Sequence, residues 1–120
     1  EARLQGKVAK NIRFTFVDGK ITSVSADENL DAVEAELTLG GDSAKAFREF
    51  GLGFHPGLVK VPGSEIVPYF GYGAGVVRMS LGDNEELGGD VRGGYRRWLF
   101  FPDATVEIGD RMLVRGGELR

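Results

Sequence analysis

Glycine stands at 19 of the 120 positions, with no fixed period. Without a collagen-like repeat, such a chain is held to short elements joined by tight turns, because glycine enters the left-handed region at little steric cost. The patterns between the glycines agree. Over Lys7 to Val17, apolar Ile12, Phe14 and Phe16 alternate with Arg13 and Thr15, as in a strand with one buried face. Asp18-Gly19 follows, the strongest short signal for a hairpin, and Lys20 to Ala26 returns as the second strand. Thr105 to Ile108 and Met112 to Val114 form a second hairpin across Gly109-Asp110.

Between the hairpins the period changes. Leu30, Val33 and Leu37 recur at helical spacing within Glu28 to Leu39, with Asp27 as a start and Gly40-Gly41 as a stop. Asp42-Ser43 opens a second, short helix expected to run to about Phe50 and to be stopped by Gly51. Pro56, Pro62 and Pro68 exclude a central strand around Gly51 to Val67, which reads as loops and edge segments. Val76 to Leu81 is a buried strand, Gly82 to Gly94 a glycine-rich acidic loop, and Tyr95 to Phe101 a strand. The chain shows no repeat and no linker. The order predicts one α+β domain over residues 1–120, with a mixed or antiparallel β-sheet and two short helices.

Composition removes several chemistries. There is no cysteine, hence no disulfide framework, thiolate nucleophile or zinc–thiolate site. The single histidine, His55, lies before a proline and has no nucleophile near it in sequence. The formal net charge of −3 argues against a dedicated nucleic-acid binder, although Arg92, Tyr95, Arg96, Arg97 and Trp98 form a local basic–aromatic patch. Asp83, Glu85, Glu86 and Asp90 lack the spacing of a calcium loop and read as a solvated acidic segment. No apolar stretch approaches the ~18 residues of a membrane span, so a cytoplasmic protein without a membrane partner is expected.

Arg78 interrupts an apolar strand, where an unpaired charge is costly. In the other strand Arg97 and Leu99 share one face, and Arg96 and Trp98 the opposite one. Ile66 to Tyr72 is rich in aromatic residues and glycine and reads as an exposed interaction segment or a cover over a sheet edge.

These segments carry a family resemblance. Gly75-Val76-Val77-Arg78-Met79-Ser80-Leu81-Gly82 and Tyr95-Arg96-Arg97-Trp98-Leu99 resemble the two metal-binding strands of the thermophilic metallo-aminopeptidases of the aminopeptidase T and S type. Phe16-Val17-Asp18-Gly19-Lys20-Ile21, Arg48-Glu49-Phe50-Gly51-Leu52-Gly53 and Leu81-Gly82-Asp83-Asn84 with Gly88-Gly89 resemble further pieces of that pattern, in the same order. So does Ala104-Thr105-Val106 with Gly117-Glu118-Leu119. A related 2,5-dihydroxypyridine dioxygenase branch shares the scaffold. The resemblance implies the C-terminal, active-site half of such an enzyme, with a further glutamate ligand and an N-terminal domain upstream of Glu1. Carried over residue by residue, it keeps Glu49 as a metal ligand, puts Arg78 and Arg97 where histidines stand, and puts Leu99 at an aspartate.

The expectation is therefore a degenerate metal site in which Glu49 pairs with Arg78 or Arg97, the guanidinium replacing the metal's charge. It implies a non-catalytic aminopeptidase-like domain with a structural, binding or oligomerisation role, no cofactor, no nucleic acid, and a homodimer or partner subunit. The alternatives are a fragment of a metal-dependent aminopeptidase, completed by an upstream segment or another chain and holding one or two divalent ions such as zinc or cobalt, and a small-anion-binding domain using Arg78 and Arg97.

Overall fold

A computed structural model describes residues 1–58, 61, 63 and 66–120. Part of the expected loop between Gly51 and Val67, including Pro62, lies outside the described residues. The chain is mostly β, about 43% strand against 17% helix, in four small antiparallel sheets. This corrects the α+β expectation. The helices are too few and too short to form a layer, and the strands divide among separate sheets instead of building one.

In chain order the elements are β1 (Ala2–Leu4), β2 (Lys7–Ala9), β3 (Arg13–Val17), β4 (Lys20–Ser25), α1 (Leu30–Leu39), α2 (Gly41–Ala44), β5 (Phe47–Leu52), β6 (Val77–Gly82), β7 (Arg96–Phe101), β8 (Val106–Ile108), β9 (Arg111–Arg115) and β10 (Glu118–Leu119). The sheets are β1-β2, β3-β4, β5-β6-β7 and β10-β9-β8. The backbone divides into two compact units, residues Glu1–Glu49 with Ser80–Arg97, and Phe50–Met79 with Trp98–Arg120.

The first unit opens on two hairpins. Gln5-Gly6 and Asp18-Gly19 both take positive φ at successive residues, the geometry whose twist suits a two-residue antiparallel turn. In β3-β4 Phe14 faces Val24 and Phe16 faces Ile21. The single strand expected from Lys7 to Val17 is broken between Ala9 and Arg13, where Asn11 adopts φ 50° and its side chain donates to Asp27 at 2.7 Å. Asp27 is therefore committed to Asn11 and does not cap α1. Asn29, at φ 57°, takes the N-cap position and donates to the Val8 carbonyl. Leu4, Ala9, Ile21, Ala32, Val33, Leu37, Ala44 and Leu81 form the core, with Phe14, Phe16 and Tyr95 packed against it.

The second expected helix is also corrected. It stops at Ala44, and Phe47–Leu52 is strand β5. Ile21 N donates to the Lys45 carbonyl and Phe47 N to the Gly19 carbonyl, each at 2.8 Å, so the hairpin edge captures this backbone before the helix extends. Glu49 accordingly sits on a strand.

The second unit holds the β10-β9-β8 meander, with the expected hairpin across Gly109-Asp110, and a single turn of 3-10 helix at Tyr69–Gly71. Among the described residues, Val76, Val77 and Val114 are its buried side chains.

Gly82 closes β6 at φ 120°, and a Cβ there would overlap the Tyr95 carbonyl. Gly82→Ala is expected to cost about 3 kcal/mol or more, from backbone strain added to the clash. Urea unfolding checks this, and a parent-like midpoint would contradict it.

Candidate functional site

The most heavily engaged polar side chain of the first unit is Arg48, the second residue of β5. Its side chain is only 7% exposed. A guanidinium so far removed from water is tolerated only when its donors are met. Here they are. Nε donates to the Asp83 carbonyl at 2.9 Å. One terminal nitrogen donates to the Glu49 carboxylate and to the Ser80 hydroxyl, both at 3.1 Å. The other donates to Glu86. The second Glu86 oxygen accepts from Arg96 at 3.0 Å. Two cations and two carboxylates thus compensate one another around a fully buried Ser80.

The acidic loop supports this knot from behind. Asp83, expected to be solvated, is 8% exposed. Its carboxylate accepts backbone N–H bonds from Glu85 at 3.1 Å, Gly93 at 3.2 Å and Gly94 at 3.0 Å. The bonds from Gly94 and Glu85 outweigh desolvation and hold its pKa below the ordinary value. The Arg48 hydrogen bond lowers that of Glu86 in the same sense. Asn84 accepts from Val91 N at 2.9 Å and pins the far side of the loop.

Arg97 closes on a different carboxylate. It donates to Glu36 at 3.2 Å and to the Arg3 carbonyl at 3.1 Å. Glu36 also accepts from the Tyr95 hydroxyl at 3.1 Å and from Gln5 at 2.9 Å. Burial opposes the charged form of Glu36, but the Gln5 and Tyr95 bonds and the Arg97 charge prevail and lower its pKa. Burial, reinforced by the Glu36 charge, pushes the Tyr95 phenol up to about 12, so it stays a hydrogen-bond donor. Arg92 pairs with Glu85 at 2.9 Å. The arginines of the basic–aromatic patch that lie in this unit, Arg92, Arg96 and Arg97, are thus each matched by a carboxylate.

In the second unit the Arg78 guanidinium lies 4.9 Å from the Tyr72 ring centroid and 5.4 Å from that of Trp98. It also donates to the Phe70 carbonyl at 3.1 Å. Two aromatic faces thereby stabilise a cation inside an apolar strand. Trp98 stacks on Phe100, and Leu99, half-buried, takes the opposite face of β7. Tyr69, Phe70 and Tyr72 are exposed. His55 is exposed and its Nδ1 accepts from Gly57 N.

Of the pairings expected for Glu49, the one with Arg97 is replaced: Arg97 takes Glu36, and Arg48 is a guanidinium partner of Glu49 that the sequence reading did not expect. The residues expected from the sequence to mark a degenerate metal site do not fit a divalent ion. Arg78, Arg97 and Leu99 offer no lone pair, and Glu49 carries a guanidinium. Among the described residues no three His, Cys, Asp or Glu side chains are placed to hold a metal. Sequence reasoning gave no role to Arg48 or Ser80, and it read Glu86 as part of a solvated acidic segment. Arg48 stood beside Glu49 in the quoted motif, but its link to Glu86 spans 38 residues and has no local periodicity.

No protein-family model and no curated protein sequence matches the chain. A solved structure does: the 2,5-dihydroxypyridine dioxygenase from Pseudomonas putida KT2440 aligns with a TM-score of 0.66 at 16% identity, over 91% of this chain and 33% of that one. The chain is thus similar in fold to about a third of the dioxygenase's length.

Two outcomes follow for the knot. Arg48→Met leaves buried acceptors uncompensated and is expected to cost about 3 kcal/mol in urea unfolding, where a neutral variant would contradict the network. Asp83, Glu86 and Glu36 all titrate below their ordinary values, so each binds its proton less tightly folded than unfolded. Their stabilisation is complete above the ordinary carboxylate range, about pH 4, and fades as pH falls through the lower folded values. Unfolding midpoints between neutral pH and pH 2 should show a shallower acid loss for Asp83→Asn than for the parent. Parallel profiles would contradict this assignment.

Proposed function

We propose that the chain is a non-catalytic domain, related to metal-dependent aminopeptidases and ring-cleaving dioxygenases, in which an internal arginine stands in for a catalytic cation. The role is structural, binding or oligomerisation. One observation carries the reading: the Glu49 carboxylate, the one family ligand retained, accepts from the Arg48 guanidinium, which also donates to Ser80 and Glu86. The likeness in fold to the dioxygenase supports the scaffold and leaves the chemistry open. A buried guanidinium with fixed partners supplies positive charge and no open coordination position, so it orders the strands and cannot activate water or polarise a carbonyl as a metal does.

Metal analysis tests the reading directly. The protein is incubated with zinc, cobalt, manganese or ferrous iron and freed of excess. It is expected to retain well under one ion per chain, with an unchanged thermal midpoint. One tightly held ion per chain would overturn the reading and favour the metal-dependent aminopeptidase alternative.

A further inference from the structure

A second feature of the first unit shares no residue with the arginine knot. A cavity of about 430 Å³ opens between β4 and α1, within the usual size range of small-molecule sites. Ile21, Val24 and Leu37 are its apolar lining residues; Thr22 and Thr38 also line it, their hydroxyls donating to the Thr15 and Glu34 carbonyls. Two opposite charges also line it, Glu34 and Lys45. They form no ion pair with each other, and neither head group is engaged by another side chain among the described residues.

Their separation follows from the backbone. Lys45 lies just past α2, and its carbonyl accepts from Ile21 N at 2.8 Å, which anchors it at the Ile21 end of β4. Glu34 enters from within α1, and the helix rise from Glu34 to the C-cap Gly40 is about 9 Å. The strand from Ile21 to Val24 spans about 10 Å. The cavity therefore presents an anion and a cation that do not pair with each other, with apolar Ile21, Val24 and Leu37 in the same lining. A simple carboxylate would engage Lys45 alone and a simple amine Glu34 alone, whereas a ligand carrying both charges engages both.

We infer that this cavity binds a small zwitterion whose ammonium and carboxylate groups are separated by a short apolar chain. The carboxylate meets Lys45, the ammonium meets Glu34, and the methylenes lie over Ile21, Val24 and Leu37.

The probe is 6-aminohexanoate, compared with hexanoate and hexylamine, titrated into the full chain and followed by amide chemical shifts. The zwitterion is expected to give saturable shifts confined to residues 21–24 and 34–45, and to bind about tenfold more tightly than either one-ended analogue, the effect of one charge-assisted contact. Glu34 and Lys45 are exposed, so their variants should fold. Lys45→Met should reduce 6-aminohexanoate to the affinity of hexylamine, and Glu34→Gln to that of hexanoate. Equal affinity for the three probes, absence of saturation, shifts centred elsewhere, or insensitivity to both variants would each overturn the assignment.

Discussion

Burying a guanidinium is the constraint on which the first unit depends. The desolvation of Arg48 is recovered only if Glu49, Ser80, the Asp83 carbonyl and Glu86 are all in place together. Those partners come from β5, from β6 and from the loop that follows it. An interaction of this kind adds little net stability over an apolar packing of equal volume, but it selects one arrangement of its elements, because every partial arrangement leaves a charge or a lone pair unmet.

The loop behind the knot obeys the same rule. Asp83 turns its carboxylate inward to take three backbone N–H groups, and Gly93 and Gly94 let the chain come close enough to offer two of them. At Gly93, φ is 136° and a Cβ would press on the Ser43 hydroxyl, so both the conformation and the space call for glycine. Asp83, which read as solvated in the sequence, is thus an internal support. This is also why the acid limb of stability reports on this part of the molecule. In the second unit Arg78 is held differently, against the faces of Tyr72 and Trp98.

Features with a local cause were legible in the sequence. The Asp18-Gly19 and Gly109-Asp110 turns, strands β6 and β7, the body of α1 and the opposed faces of Arg97 and Trp98 follow from turn chemistry and short periods. Features with a distant cause were not. Phe47 to about Phe50 read as the end of a helix opened at Asp42-Ser43 and stopped at Gly51, and it became part of strand β5 because the Gly19 carbonyl lies beside it. The division into four sheets has no signature in any window of the sequence. Glu49 was singled out through a family likeness, and its neighbour Arg48 was passed over because its partners lie 32 to 38 residues away.

The central claim is that Arg48 and Glu49 act as one unit. A double-mutant cycle with Arg48→Met, Glu49→Gln and the pair, read by urea unfolding at neutral pH, tests it most directly. A coupling of about 1–3 kcal/mol is predicted, with the double variant less destabilised than the sum of the singles. Additive losses, with coupling near zero, would contradict the account.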